Sequence, residues 1–150
     1  MSGIHEVTLK SIQWEKLQHV RLVCKSNDGF RHSVMYEIPD GLYLNADATW
    51  FLAVFSKNTQ LEDFFCRFGA NIVSLWFCGS SLSSIDVHSM SDLKELHIEN
   101  HPILDRIEHL GILKNLERLN ISGCPKLTRI PGLSKLTKLT ELSIIYTVSF

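Results

Sequence analysis

The sequence predicts an α/β-type solenoid, a curved array in which each repeat adds one strand to a parallel sheet. Leucine-like residues recur at fixed offsets through the second half of the chain, and successive units begin at Ile72, Leu93, Leu116 and Leu139. Each interval accommodates one short strand and one return segment. We expect parallel strands on the concave face and 3-10 or irregular segments on the convex face, with an N-terminal cap before them.

Composition and charge indicate an ordinary folded protein rather than a disordered or fibrous one. Of 150 residues, 45% are hydrophobic and 21% are charged, a usage typical of globular domains. The formal net charge is −1, and the lysines and arginines form no long run. We therefore expect neither a nucleic acid nor a membrane surface among the partners.

The four cysteines, Cys24, Cys66, Cys78 and Cys124, form no CxxC pair and show no regular short spacing. This pattern favours reduced thiols over a zinc site or a secreted disulfide framework. The N-terminal residues contain no basic segment followed by an apolar one, and no stretch approaches the roughly 20 apolar residues needed to span a bilayer. The sequence thus predicts a cytoplasmic protein.

The strand half of each repeat carries an apolar residue at its first, fourth and sixth positions. Twelve apolar residues in these positions would arise by chance with odds of about 10⁻⁴ at this composition, or about 10⁻³ after allowing for the choice of register. The four sets are Ile72, Leu75 and Phe77; Leu93, Leu96 and Ile98; Leu116, Leu119 and Ile121; and Leu139, Leu142 and Ile144.

The return half of the unit is also periodic, with an apolar residue at every third position. Because residues i and i+3 eclipse one another in a 3-10 helix, this spacing favours tight turns or 3-10 geometry. The matching residues are Leu104, Ile107, Leu110 and Leu113 in one unit and Leu127, Ile130, Leu133 and Leu136 in the next.

These offsets resemble the leucine-rich repeat (LRR) family, whose pattern is LxxLxLxx(N/C)xL, over residues 72–146. The short repeat length is similar to that of the short class of this family, and LNISGCPKLTRIPGL is similar to plant immune-receptor repeats, which place Cys where others place Asn. The ninth position, where the family usually has an Asn that bonds the turning backbone, holds Ser80, His101 and Cys124. The resemblance implies a protein-binding module.

Residues 48–150 are accordingly assigned to the repeats, and residues 48–71 are predicted to form a degenerate unit. Within it, Trp50, Ala53 and Phe55 have the same mutual spacing as the first, fourth and sixth positions of the next unit. The aromatic replacements weaken the pattern but keep it apolar.

The two ends of the chain are expected to differ. Residues 1–47 are predicted to form an N-terminal cap containing a β-hairpin that turns at Asn27-Asp28-Gly29. The segment ELSIIYTVSF ends the array without a polar cap, although repeat units cannot bury their end faces alone. Two explanations are open: the chain is a piece of a longer LRR protein, or a partner or second copy covers this end by self-association.

Side chains alternate along a strand, so positions three, five and seven of each unit are expected on the concave surface. Aromatic residues and arginine dominate interface hot spots, which makes Trp76 the expected anchor, unless it packs against the N-terminal segment. Glu95, Arg118 and Glu141 form a charge-alternating row that either pairs across strands or contacts a ligand. The candidate partner-binding residues are Trp76, Glu95, His97, Glu99, Arg118 and Asn120.

The sequence predicts no catalytic, cofactor or metal site. His97, Glu99 and His101 invite a metal interpretation, but His101 is at the ninth position, where the chain is expected to turn inward. The other histidines are scattered without triad geometry, and no phosphate-binding glycine motif occurs. We therefore expect no enzyme.

The predicted function is that of a protein–protein interaction module, an adaptor or regulatory recognition domain that binds a protein partner on the concave LRR face. The alternative is a sensor fragment of a larger multidomain receptor, ligase adaptor or effector whose other domains lie beyond residue 150. Concave residues vary independently of the leucine scaffold, so the sequence does not name the partner.

Overall fold

The computed structural model describes residues 5–8, 12–24, 40–55, 69–79 and 81–145. This part of the chain contains ten strands and three 3-10 turns, and no helix long and apolar enough to cross a bilayer. The strands are β1 His5–Val7, β2 His19–Cys24, β3 Gly41–Leu44, β4 Trp50–Phe55, β5 Ser74–Cys78, β6 Ser84–Asp86, β7 Glu95–Glu99, β8 Arg106–Glu108, β9 Arg118–Ser122 and β10 Glu141–Ile145. The 3-10 turns are Trp14–Lys16, Leu110–Ile112 and Leu133–Lys135.

Eight strands form one mixed sheet in the order β1-β3-β4-β2-β5-β7-β9-β10. The pairs β1 with β3 and β3 with β4 are antiparallel, and every pair from β4 to β10 is parallel. The return segments contribute a second, two-stranded parallel sheet of β6 and β8.

The parallel strands are joined by one backbone pattern repeated at every step. The carbonyl of Val73 accepts the N–H groups of Lys94 and Glu95 at 2.8 and 3.0 Å. The backbone carbonyls of Lys94, Glu117, Gln18 and Thr49 each accept two consecutive N–H groups in the same way. Strands β4 and β2 therefore enter the ladder in the same way as the strands of the clear repeats.

Alternating burial gives each strand one apolar face. In β5, β7 and β9 the second and fourth residues are buried and most of their neighbours are half-buried, the pattern expected of a strand with one face in a core. A slip of one residue would turn these apolar side chains out of the core, so burial fixes the register.

The core lies between the large sheet and the return segments. The first residue of each of three units, Ile72, Leu93 and Leu116, is fully buried. The 3-10 turns Leu110–Ile112 and Leu133–Lys135 fall in the segments where the spacing of three predicted tight geometry. The buried side chains of these segments include Leu104, Ile107, Leu110, Leu113, Leu127 and Leu136.

The strand that precedes β5 in the sheet differs from the sequence expectation. Strand β2 lies between β4 and β5, so the degenerate unit is not the direct neighbour of the next repeat. The register of β4 also differs by two residues from the one that its spacing predicts. Strand β2 pairs with both β4 and β5, and through it Phe51 is aligned with Leu75 and Ala53 with Phe77. Because a shift of two residues keeps each side chain on the same face of the sheet, the spacing predicted the wrong alignment of β4 but did not exchange its two faces.

The predicted hairpin also requires correction. Its turn at Asn27-Asp28-Gly29 lies outside the described residues, but β2, its expected first arm, has parallel strands along both edges. The hairpin of this region is β3 with β4 instead. Asn45 shapes its turn, because the Asn45 Oδ1 atom accepts the backbone N–H groups of Thr49 at 3.0 Å and Trp50 at 2.8 Å.

Strands β5, β7 and β9 are each followed by a left-handed residue, which turns the chain toward the core. Gly79, Asn100 and Gly123 have φ angles of 60°, 60° and 65°. A Cβ at Gly123 would lie 3.2 Å from the Cα atom of Asn100, so both the backbone angle and the close approach of successive turns favour glycine there.

The ninth position follows this turn and points inward. His101 is fully buried, and its Nε2 atom lies 3.0 Å from the carbonyl oxygen of Phe77 in the preceding unit. Cys124 is also buried, with its Sγ atom 3.5 Å from the carbonyl oxygen of Ser122. Ser80 lies outside the described residues. The two described side chains thus hydrogen-bond backbone carbonyls at the turn.

Strand β10 has β9 as its one neighbour within the described residues. The side chains of Leu142 and Ile145 are about half exposed, at 48% and 55%. Self-association through this end stays a prediction.

Protonation of His101 is predicted to destabilise the fold at acid pH. Burial lowers the pKa of His101 from 6.5 to about 4, so the unfolded chain takes up the proton first as the pH falls. The stability contributed by neutral His101 is complete above pH 6.5 and is lost between pH 6.5 and about 4. By pH 5 the loss is about 2 kcal/mol.

Urea unfolding at about pH 7.5 and about pH 5 measures this loss. His101→Asn keeps a side-chain donor without a titrating proton, so it is the matched control and is expected to lose about 2 kcal/mol less than the parent chain. Equal losses in the two proteins would contradict the assignment.

Candidate functional site

The six candidate partner-binding residues share one face of the large sheet, which we call the Trp76 face. The in-register parallel pairing aligns equivalent residues of β5, β7 and β9 in rows that cross the strands. Glu95 and Arg118 are in the first row, Trp76, His97 and Asn120 in the second, and Glu99 in the third. The structure therefore brings all six together on the surface that the sequence predicts to be concave.

The second row contains a stack of three side chains. The Arg21 Cζ atom lies 4.4 Å from the centroid of the Trp76 ring, a cation–π distance. On the other side, the Trp76 and His97 rings are 4.3 Å apart and inclined by 17°. Trp76 thus packs against the N-terminal segment through Arg21 of β2, the alternative expected for it, and its side chain remains half-buried rather than fully buried.

Arg21 was not found from the sequence. It belongs to β2, which lies outside the repeat pattern, and no spacing relates it to Trp76. Only the insertion of β2 beside β5 makes the two residues cross-strand neighbours.

The first row contains an ion pair between Glu95 and Arg118, and Glu95 has further polar neighbours. The Arg118 Nε atom donates to the Glu95 Oε1 atom at 2.7 Å, and the Arg118 Nη2 atom contacts the same oxygen. The hydrogen bond and charge of Glu95 raise the pKa of Arg118. The other Glu95 oxygen accepts from Ser74 Oγ at 3.4 Å and lies 3.9 Å from His97 Nε2. Glu95 is thus the hydrogen-bond and charge partner of Arg118 on this face.

The third row pairs Cys78 with Glu99, whose Sγ and Oε2 atoms are 3.8 Å apart. Burial, followed by the negative charge of Glu99, raises the pKa of the Cys78 thiol to about 12. The thiol therefore stays protonated at neutral pH, which is unsuitable for a nucleophile.

Two polar atoms at the centre of the face have no hydrogen-bond partner among the described residues. They are His97 Nδ1 and Asn120 Oδ1, which belong to directly paired residues of β7 and β9. Buried polar atoms are normally paired, because leaving one unpaired costs about 1–3 kcal/mol. Both atoms are also buried from solvent.

The N-terminal part of the face is closed, contrary to the sequence expectation. By their spacing, Leu52 and Val54 hold positions three and five of the degenerate unit and are expected on the concave surface, but they are 3% and 0% exposed. They form an apolar cluster with Val23, against which Tyr43 and Trp50 pack. The accessible surface consequently begins at the stack of Arg21 and Trp76.

His101 is separated from His97 and Glu99, as its ninth position predicts. It is fully buried on the core side and its ring lies 4.3 Å from that of Phe77. The three residues therefore do not converge on one ion.

No protein-family model, curated protein or solved structure matches this chain. Function is therefore inferred from the geometry of the chain's own residues.

Slow alkylation of Cys78 is a test of the electrostatics on this face. At about pH 8, a thiol with a pKa of about 12 has about 1,000-fold less thiolate than one with a pKa of 9.0. We expect native Cys78 to react with iodoacetamide at least about 100-fold more slowly than N-acetylcysteine. Peptide mass spectrometry of the quenched reaction measures the rate.

Glu99→Gln removes one cause of the raised pKa and should accelerate the reaction several-fold, by the loss of a nearby negative charge. The same protein unfolded in urea serves as the reference for an unprotected Cys78. Native Cys78 reacting as fast as N-acetylcysteine would contradict the described environment.

Proposed function

We propose that residues 72–145 form a leucine-rich repeat array that works as a protein–protein interaction module, an adaptor or regulatory recognition domain. Its partner would bind the Trp76 face. The observation that carries the proposal is the Arg21, Trp76 and His97 stack, which lies beside a fixed ion pair and next to two unpartnered polar atoms.

The geometry suits binding because much of the face is ordered before a partner arrives. Ordering a flexible side chain on association costs about 0.5–1.5 kcal/mol. The Trp76 ring is held from both sides, and Arg118 is held by Glu95. A partner that contacts Trp76 and Arg118 would therefore incur little of that cost.

The charges of the face favour a protein partner of mixed polarity. Arg21 and Arg118 alternate with Glu95, Glu99 and Glu141 across neighbouring strands. A phosphate backbone or an anionic membrane would meet the glutamates as well as the arginines. A protein segment with both signs of charge matches this pattern.

The same groups support binding without covalent chemistry. The Cys78 thiol has a raised pKa beside Glu99, and Glu95 is engaged with Arg118. Cys24, Cys78 and Cys124 are buried and form no disulfide, which supports the proposal of a reducing, cytoplasmic environment.

Charge reversal and ring removal test the proposed face. Using the full chain as bait, we expect Trp76→Ala to reduce recovery of each partner at least about tenfold, because a hot-spot side chain contributes about 2 kcal/mol or more. Arg118→Glu should have a similar effect. Trp76→Phe, which keeps an aromatic ring, and Arg129→Glu, which reverses an exposed charge on a return segment, are the matched controls.

Photo-crosslinking gives the contact directly. A benzophenone side chain at Ser122, on the third row, should crosslink to the partner, whereas one at exposed Thr128 on the return segment should not. If Trp76→Ala and Arg118→Glu retain every partner, or if crosslinks form at Thr128 and not at Ser122, the face has been misassigned.

A further inference from the structure

A second group of polar side chains lies away from the Trp76 face, on the return segments. Strands β6 and β8 pair in parallel there, with Asp86 opposite Glu108. This pairing places His109, the residue after β8, beside Asp86. His88, two residues after Asp86, completes the group, which we call the His-Asp cluster.

The donor atoms of the cluster converge. The Asp86 Oδ1 atom lies 3.1 Å from His88 Nδ1 and 2.8 Å from His109 Nδ1. One nitrogen of each ring and one carboxylate oxygen lie within 4.8 Å of one another, and this is the group of metal-ligating side chains found among the described residues.

We propose that the His-Asp cluster binds a divalent transition-metal ion, with zinc as the ion that best matches its donors. Two imidazoles and one carboxylate form a three-ligand zinc site, in which water occupies the fourth position. Ligands about 2.1 Å from a tetrahedral ion are about 3.4 Å apart. The two distances from Asp86 Oδ1, 2.8 and 3.1 Å, and the separation of the two imidazole ligand atoms, within 4.8 Å, reach that spacing by rotation of the side chains.

The backbone at His109 is a second, independent observation. His109 has a φ of 65°, in the left-handed region that side-chain-bearing residues rarely adopt. The equivalent residue of the next unit is Gly132, which takes the same region with a φ of 90°. His109 therefore carries an imidazole in the backbone conformation for which the next unit uses glycine, which supports a role for that side chain.

The cluster is accessible to an ion from solvent. The side chains of His88, His109 and Asp86 are 59%, 57% and 35% exposed. When the ion binds through Nδ1, each neutral ring carries its proton on Nε2, so no further base is needed. Because Asp86 and His88 belong to one unit and His109 to the next, the ion would connect successive repeats and stabilise their stacking.

The sequence predicted no metal site because the histidines show no ligand spacing when read along the chain. Asp86 and His109 are separated by one repeat length, and their relation becomes visible only when the units are aligned with their return strands paired.

Zinc titration of the full chain by calorimetry tests the proposal. We expect one zinc ion with a Kd on the order of 10 µM or tighter, and affinity at least about tenfold weaker in Asp86→Asn, His88→Gln and His109→Gly. His109→Gly preserves the left-handed backbone, as Gly132 does, so it removes the ligand without disturbing the turn. His97→Gln, on the Trp76 face, is the matched histidine control and should bind as the parent chain does.

Cobalt substitution distinguishes this site from adventitious binding. The parent chain should show the visible absorption of tetrahedral Co²⁺, and the three cluster variants should lose it. Thermal unfolding in EDTA identifies any variant that fails to fold, and at least one cluster variant should unfold within a few degrees of the parent. Zinc binding that is absent in the parent, or equal in His88→Gln, His109→Gly and the parent, would overturn the proposal.

Discussion

The register of the parallel strands is the constraint on which the rest of this structure depends. Each of the strands β5, β7 and β9 buries alternate side chains, and each backbone step uses the same doubled carbonyl acceptor. A one-residue slip would expose pairs such as Leu96 and Ile98 and bury Glu95 and His97. Apolar burial and backbone hydrogen bonding therefore select the same alignment, which explains why units of unequal length stack without a break.

That alignment converts residues far apart in sequence into neighbours on both sides of the array. On the sheet it produces rows, in which Trp76 stacks on His97 and Glu95 binds Arg118. On the return side it places His109 against Asp86. The two clusters share no residue, so the proposed protein-binding face and the proposed metal site can be disrupted separately.

The N-terminal half completes the sheet rather than only covering its end. Strand β2 provides the edge on which β5 pairs and supplies Arg21 to the stack. It also contributes Val23 to the apolar cluster with Leu52 and Val54, which closes one end of the face. The accessible surface is thereby restricted to the middle and C-terminal strands, where charges of both signs alternate beside Trp76.

The sequence by itself determined the strands that repeat and the face that each of their residues occupies, because alternation within a strand is a local property. The placement of all six candidate residues on one surface follows from it. The tertiary structure decided the insertion of β2, the two-residue displacement of β4 and the convergence of His88, His109 and Asp86. These features depend on which distant segments pair, and that choice is set by competition for a shared core and shared backbone partners, which no local spacing records.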